Sequence, residues 1–289
     1  MNRRQFMTLG FGGLASLGYL ASPLGVQAMA HAAQAVQPQE STPPVGTPIT
    51  DAAIRDYLYK MEHFDQPHHS DIILSSQEMA LLKSTQERLA RLQNYVGHGA
   101  FYLLTFDDAR AYSRQKSIGA FTQSELAFME AIFYTDAAVY GFLGDRAVDT
   151  ITSGIPKKHI VKVPYMGNYL YREKAIDKWN AIHKLMGEKV VLTSGIRSVM
   201  KQFNLFLAKA RKSNGNLSLA SRSVAPPAYS FHSVGDFDVG QRGLGVRNFS
   251  LDFLDTEVYA ELTKRGYIQL RYPQGGLLGV RFEPWHVRV

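Results

Sequence analysis

Two short segments near the end of the chain carry side chains that could bind a metal ion and act on water. One reads Ser-Phe-His-Ser-Val-Gly-Asp-Phe-Asp from position 230, and the other reads Arg-Phe-Glu-Pro-Trp-His from position 281. A catalytic zinc site uses three protein ligands and keeps a fourth position for water, whose pKa falls toward neutrality. A glutamate that is not a ligand can then accept a proton from that water. Together the two segments offer the components of a hydrolytic zinc site.

The first segment must bend if its side chains are to meet at one ion. In a continuous strand at ~3.3 Å per residue, His232 and Asp238 would lie roughly 20 Å apart. Gly235 is placed to fold the chain between them. We therefore expect His232 on a loop or turn and Asp238 on the strand that follows.

The second segment sets a similar condition. Glu283 and His286 lie three positions apart, which sends their side chains to opposite faces of a flat strand. Pro284, between them, predicts a bend or bulge that brings both toward the metal.

Length and composition bound the kinds of protein that could hold such a site. The chain has 289 residues, of which 45% are hydrophobic and 20% charged, as in a globular protein with one or two cores. Its net charge of +7 is spread along the chain, so we predict no nucleic-acid partner. The absence of cysteine excludes disulfides, thiol catalysis and cysteine-ligated metals. A transition-metal site must therefore use His, Asp and Glu.

The first 30 residues are predicted to be an export signal. Arg3 and Arg4 precede a Gly-, Ala- and Leu-rich apolar run that ends in small residues near Ala30. This pattern is typical of a twin-arginine (Tat) signal peptide. An N-terminal membrane anchor is the alternative, but the run is shorter than the ~20 apolar residues of a spanning helix and Pro23 follows it closely. We expect export by the twin-arginine machinery, cleavage near Ala30 and a periplasmic or extracellular mature protein.

The pattern divides the rest of the chain into three parts. Residues 31–50 are rich in Ala, Gln and Pro and are predicted to be a linker. Residues 51–170 show apolar residues at helical spacing, with helix starts near Ser75 and Thr122, and are predicted to be a helical N-terminal region. Residues 171–289 mix helix and strand and carry the chemical segments. In this last part we predict helices at 173–186 and 256–265 and strands at 189–194, 267–270 and 278–282.

Four motifs in the last part resemble those of the VanY-like D-alanyl-D-alanine metallocarboxypeptidases, zinc peptidases of the LAS type. The resemblance covers roughly residues 173–289. It implies an α+β fold in which a small antiparallel sheet with flanking helices forms a zinc peptidase core, preceded here by the helical N-terminal region. In chain order the motifs are Ser194-Gly195-Ile196-Arg197-Ser198, Pro227-Ala228-Tyr229-Ser230-Phe231-His232 with Asp238, Leu270-Arg271-Tyr272-Pro273 and Glu283-Pro284-Trp285-His286.

Carried over residue by residue, the resemblance implies a metal site and a base. His232, Asp238 and His286 would bind one Zn²⁺ per chain. Glu283 would be the general base that takes a proton from the attacking water and passes it to the leaving amine.

The resemblance also implies groups that hold the substrate. Arg197 would hydrogen-bond the scissile carbonyl oxygen and stabilise the negative charge that develops there. Ser230 would help to hold the terminal carboxylate of the substrate, and Gln202, on the helix after Arg197, would line the cleft.

The chain departs from the family pattern at two places. The family usually places its aspartate seven residues after the first histidine, whereas Asp238 follows His232 at six. Asp236 is therefore a rival ligand, since it shares a face of an extended strand with Asp238. We favour Asp238, because a deletion of one residue after Gly235, relative to the family pattern, would keep Asp238 as the ligand and Val239 as the apolar residue that follows it. Ile196 replaces the tyrosine commonly found before the arginine, so a phenol contact to the substrate is not expected from that position.

The implied activity is hydrolysis of peptidoglycan stem peptides of the cell wall, with removal of the terminal D-alanine as the leading reaction. Two alternatives stay open: an L,D-carboxypeptidase or endopeptidase on the same core, and a non-catalytic peptidoglycan-binding or assembly factor. Two histidines and one aspartate with an open position could also hold divalent ions other than zinc. No sequence pattern specifies an oligomeric state.

Overall fold

The computed structural model describes residues 51–268, 270–276 and 279–289. The predicted signal peptide (residues 1–30) and linker (31–50) lie outside these ranges. Within them, no helix combines the length and apolar character needed to cross a membrane. The described chain has an α+β fold, as predicted.

Helices dominate the first part of the described chain and flank a small sheet in the last part. The α-helices are α1 (Asp51–Glu62), α2 (Ser76–Val96), α3 (His98–Phe101), α4 (Phe106–Tyr112), α5 (Gln123–Tyr134), α6 (Lys174–Met186), α7 (Val199–Lys212), α8 (Leu217–Ser221) and α9 (Glu257–Lys264). The strands are β1 (Ile160–Lys162), β2 (Tyr169–Tyr171), β3 (Val190–Ser194), β4 (Phe237–Gln241) and β5 (His286–Val287). Short 3-10 turns connect several of these elements, among them Phe231–Ser233.

Two helices of the N-terminal region begin with the caps expected from the sequence. The Ser75 side chain accepts the N–H of Glu78, whose carboxylate accepts the N–H of Ser75, so α2 starts with a capping box. Thr122 and Glu125 form the same reciprocal pair at the start of α5. Glu125 also accepts a 2.9 Å bond from Nε of Arg88, which ties α5 to α2. The capping residues therefore fix both where these helices begin and how they meet.

The sheet that carries the chemical segments is antiparallel, with strand order β3-β4-β5. Its register pairs Asp238 with Ser194 of β3 on one side and with His286 of β5 on the other. A register shift between Leu192 and Ser194 makes the end of β3 irregular. Strands β1 and β2 form a separate antiparallel pair. Cross-strand pairing thus brings Asp238 and His286, 48 positions apart in the numbering, side by side.

Two hydrophobic cores support the site. The first packs α2 and α5 against α7, with Leu89, Phe133 and Phe203 fully buried. The second packs α6 and α9 against the sheet, with Trp179 and Val239 inside. Because α7 lies within residues 171–289, the first core crosses the predicted boundary at residue 170. The helical region is therefore packed directly on the helix that follows the Arg197 motif, and the boundary itself stays a prediction.

The end of the chain differs from the sequence-based expectation. Helix α9 lies within the predicted helix at 256–265, but no described residue of 267–270 or 278–282 belongs to a strand. Three glycines here, Gly266, Gly275 and Gly279, have φ values of +71°, +72° and +84°. Such left-handed conformations turn the backbone out of an extended path. The last strand forms later, as β5.

Candidate metal centre

Three buried side chains converge where β4 and β5 meet the Phe231–Ser233 turn. One ligand atom from each of His232, Asp238 and His286 lies within 4.8 Å of the others. Gly235, with φ +144°, turns the chain between His232 and β4, so the predicted fold of this segment is confirmed. Among the described residues, no other group of three or more His, Asp or Glu side chains converges in this way.

His232 is oriented so that one ring nitrogen faces the centre. Its Nδ1 lies 2.9 Å from the carbonyl oxygen of Gly195 and can only donate to it, which leaves Nε2 as the acceptor nitrogen. Nε2 lies 3.3 Å from Oδ2 of Asp238. Burial and the nearby Arg197 guanidinium lower the pKa of His232 to about 4. A neutral imidazole with a free Nε2 lone pair is the form that binds metal.

His286 faces the centre with Nδ1, whereas His232 faces it with Nε2. Its Nε2 lies 3.0 Å from Oδ2 of Asp236, and its Nδ1 lies 3.2 Å from Oδ1 of Asp238. Burial opposes a charge on this ring, but the carboxylates of Asp236 and Asp238 outweigh it and raise the pKa of His286 to about 9. A metal at the centre would take the Nδ1 position from the proton.

Two atoms at the centre support a fit to a metal ion. Oδ1 of Asp238 and Nδ1 of His286 are buried, and neither makes a hydrogen bond with a described residue. The two atoms lie 3.2 Å apart without forming a hydrogen bond, and a cation bound by both would satisfy them. The pKa of Asp238 lies well below its usual range, because His232 and Arg197 outweigh the effect of burial. An anionic carboxylate between two imidazole nitrogens matches the donor set of a catalytic zinc site.

Asp236, the rival ligand, is engaged on the far side of His286. Its carboxylate accepts hydrogen bonds from Nε2 of His286 and from the backbone N–H of Val289, each at 3.0 Å. It also forms an ion pair with the guanidinium of Arg271. Burial would raise the pKa of Asp236, but the hydrogen bonds from His286 and Arg271 lower it to about 2. The structure therefore brings Asp238 into the cluster and leaves Asp236 outside it.

Glu283 lies beside the cluster without joining it. The N–H of His286 donates to the Glu283 carbonyl at 3.2 Å, which closes a turn with Pro284 at its second position and confirms the predicted bend. Oε2 of Glu283 is 3.8 Å from Nδ1 of His286. Burial, aided by Asp238, raises the pKa of Glu283 to about 7. A carboxyl with that pKa can both accept and donate a proton near neutral pH.

Arg197 reaches the same centre from the turn between β3 and α7. Its Nη2 donates to Oδ2 of Asp238 at 2.7 Å and its Nε donates to Oγ of Ser194 at 2.8 Å. Its backbone N–H donates to the carbonyl of His232 at 3.3 Å. The guanidinium is thus held at the edge of the cluster with its position set by both strands.

The centre opens into a cleft of about 360 Å³, which Arg197, Glu283, Ser230 and Gln202 all line. Ser230 is almost fully buried at the start of the turn that carries His232. Gln202 is fully buried and donates from Nε2 to the carbonyl of Ala225 at 2.7 Å, while its Oε1 makes no hydrogen bond with a described residue. Every site residue predicted from the sequence therefore lies in or beside this one cleft.

Among the cleft residues that were not predicted as site residues are Tyr102, Lys201 and Tyr272. Tyr272 belongs to one of the four motifs, and its ring lies 5.2 Å from that of His286. Lys201 lies four positions after Arg197, so the start of α7 could have suggested it. Tyr102 comes from the helical region, and nothing in the local sequence marks it as part of the cleft.

Part of the chain is similar to a known protein family and to solved structures. Residues 170–289 match the model of the VanY family, described as D-alanyl-D-alanine carboxypeptidase. No curated protein matches the chain. One similar solved structure is a mutant of the vancomycin-resistance D,D-pentapeptidase VanY from a VanB-type cassette in complex with Zn(II), 22% identical, covering 46% of this chain and 81% of its own, with a TM-score of 0.37. Another is VanYB in complex with D-alanine-D-alanine, 22% identical, covering 46% of this chain and 80% of its own, with a TM-score of 0.36. Residues 170–289, about two fifths of the chain, are therefore similar to the VanY D-alanyl-D-alanine carboxypeptidase family.

Proposed function

We propose that the protein is a zinc-dependent D-alanyl-D-alanine carboxypeptidase that acts on peptidoglycan stem peptides. The observation that carries the proposal is the convergence of His232, Asp238 and His286 with Glu283 beside them and outside the ligand set. The choice of zinc is supported by the donor set and by the Zn(II) complex of the VanY structure. The choice of substrate is supported by the VanYB complex with D-alanine-D-alanine and by the family match.

The proposed metal ligands are Nε2 of His232, a carboxylate oxygen of Asp238 and Nδ1 of His286. Zinc bound there would acidify a water molecule and polarise the scissile carbonyl. Gly195 and Asp236 hold the two rings in the orientations that this binding needs, because each accepts the ring nitrogen that faces away from the centre.

Proton transfer is assigned to Glu283. Its carboxylate takes the proton of the attacking water and then gives it to the amine of the departing D-alanine. Its raised pKa suits this double role, since the group must gain and lose a proton within one turnover.

Arg197 is assigned to the carbonyl oxygen of the scissile bond. Charge grows on this oxygen during the attack, and a fixed guanidinium donor stabilises it. Ser230 is assigned to the terminal carboxylate of the substrate, and Gln202, with its unpartnered Oε1, to the cleft wall.

We further propose that the protein works outside the cytoplasm, after export by the twin-arginine machinery. The Arg3-Arg4 pair and the apolar run that follows support this location. Peptidoglycan stem peptides are found in the same compartment, which makes location and substrate consistent.

Product analysis with defined muropeptides tests the proposal. Purified mature protein is incubated with a pentapeptide, a tetrapeptide and a cross-linked dimer, and the products are weighed by mass spectrometry. Loss of one alanine from the pentapeptide alone is the expected result. Loss of alanine from the tetrapeptide would indicate an L,D-carboxypeptidase, cleavage of the dimer an endopeptidase, and no cleavage of any substrate by the zinc-loaded protein a non-catalytic binding factor.

A further inference from the structure

One wall of the cleft comes from outside the family match. Tyr102, in the turn after α3, lines the cleft together with Arg197 and Lys201. The N–H of Ser198 donates to the Tyr102 carbonyl at 2.8 Å, and the Ser198 hydroxyl lies 3.5 Å from the carbonyl of Phe101. Burial raises the pKa of the Tyr102 phenol, and the Arg197 cation opposes that effect. The helical region is therefore part of the substrate cleft.

Lys201 is a cation in this wall that has no described carboxylate within ion-pair distance. Its Nζ donates to Oε1 of Gln93 at 3.2 Å and lies 4.8 Å from the centroid of the Tyr102 ring. Burial and the neighbouring Arg197 cation lower the pKa of Lys201. A half-buried ammonium beside a second cation gains stability from an anion that enters the cleft.

The other two cations that line the described cleft are Arg197 and Arg281. Arg197 pairs with Asp238 at 2.7 Å. The guanidinium of Arg281 lies 4.3 Å from the ring of Phe64 and 5.0 Å from that of Trp285, and its Nη2 donates to a backbone carbonyl at 3.0 Å. Nε of Arg281 makes no hydrogen bond with a described residue, so Arg281 could also take an anion. Lys201 differs from Arg281 because it lies at the start of α7.

The start of α7 adds to this attraction. Lys201 lies in the first turn of the helix, and its N–H donates to Oγ of the capping Ser198 at 3.2 Å. The first turn contains no acidic residue. The positive end of the helix dipole therefore acts together with the ammonium group in favouring an anion.

We propose that Lys201 binds the terminal carboxylate of the peptide substrate, and that Gln93 and Tyr102 of the helical region position it. This inference rests on the proposed carboxypeptidase function. Lys201 lines the same cleft as Arg197, assigned to the scissile carbonyl, and Ser230, assigned to the terminal carboxylate. Lys201 would add a positive charge to the hydroxyl of Ser230 at that carboxylate. The helical region then acts as a specificity element, because it holds the charge that selects a free peptide end.

A pair of substrates and a pair of lysine variants test this inference. The substrates are a pentapeptide ending in D-Ala-D-Ala with a free carboxylate and the same peptide ending in a carboxamide. The variants are Lys201→Met, which removes the charge, and Lys209→Met, which removes another half-buried lysine of α7 that does not line the cleft. Lys201→Arg keeps the charge and checks whether charge alone restores selection.

We expect the wild-type protein to prefer the free carboxylate. In Lys201→Met, kcat/KM for the free acid should fall roughly ten- to hundredfold, mainly through a higher KM, because a charge-assisted hydrogen bond is lost. The rate on the carboxamide should change little, so the preference should collapse. Lys209→Met should keep the wild-type preference, and Lys201→Arg should recover most of it.

Three results would overturn the inference. Equal cleavage of the two peptides by the wild-type protein would show that no carboxylate is selected. An unchanged preference in Lys201→Met, or an equal fall on both peptides in a variant with wild-type zinc content and unfolding temperature, would show that Lys201 has another role. These outcomes leave the proposed function intact, whereas a zinc-loaded wild-type protein that cleaves neither peptide would overturn both.

Discussion

The carboxylate of Asp236 lies 3.0 Å from Nε2 of His286, on the opposite side of the ring from Asp238. We propose that the two neighbouring aspartates have different roles in this arrangement. Asp238 lies at the centre, next to Nδ1 of His286. Asp236 holds the ring in place from its other nitrogen, Nε2. Carboxylates in that outer position orient a histidine ligand and increase its basicity.

Replacement of each aspartate by asparagine should separate these roles. Asp236→Asn should weaken zinc binding by roughly 10- to 100-fold, since the ring loses its charged acceptor but keeps its place. Asp238→Asn should lose binding in the same assay, because it removes an anionic ligand. Zinc affinity is measured by competition with a chromophoric chelator, with circular dichroism as the check on folding. If Asp236→Asn loses zinc binding and Asp238→Asn only weakens it, the ligand is Asp236 instead.

Glu283→Gln should separate metal binding from hydrolysis. The amide keeps the size of the side chain but cannot accept the proton, so zinc content should stay at the wild-type level while pentapeptide cleavage falls by at least about 100-fold. Glu257→Gln is the matched control, since Glu257 is an exposed residue of α9 paired with Lys189. Full activity in Glu283→Gln would remove Glu283 from the proposed mechanism.

Gly195→Ala should disturb both the fold and the centre. A Cβ atom at Gly195 would lie 2.2 Å from the backbone carbonyl oxygen of Tyr169, too close for either segment to stay in place. The Gly195 carbonyl also holds Nδ1 of His232, so a shift would move a proposed ligand. We expect the free energy of unfolding to fall by roughly 1–3 kcal/mol, the usual cost of overpacking, with weaker zinc binding.

Gly99→Ala is the control for that substitution. Its Cβ would meet its nearest neighbour, the carbonyl oxygen of Gly167, at 3.8 Å, an ordinary contact. Unfolding in denaturant should therefore change by no more than about 0.5 kcal/mol. Equal unfolding midpoints for the two variants would argue against the close approach of β2 to the Arg197 turn.

Local backbone structure could be predicted from the sequence where a few neighbouring residues determine it. Gly235 predicted the turn between His232 and β4, Pro284 predicted the bend after Glu283, and Ser75 predicted the start of α2. Each of these depends on backbone preferences of residues that are adjacent in the chain.

Contacts between segments that are distant in the sequence could not be predicted in this way. Asp236 and Asp238 lie on opposite sides of the His286 ring because β5 pairs with β4 in one register, which a single sequence does not specify. Tyr102 reaches the cleft and Gln93 reaches Lys201 because the helical region shares a core with α7. The predicted strand at 278–282 failed because Gly279 adopts a left-handed conformation there.

We propose above all that hydrolysis depends on a metal held by His232, Asp238 and His286. The most direct measurement follows zinc content and release of D-alanine from a pentapeptide in one preparation, before chelation, after chelation and after zinc is restored. We expect one zinc per chain with activity, loss of both together, and recovery of both together, as this dependence requires. Undiminished release of D-alanine from protein shown to be free of metal would contradict it.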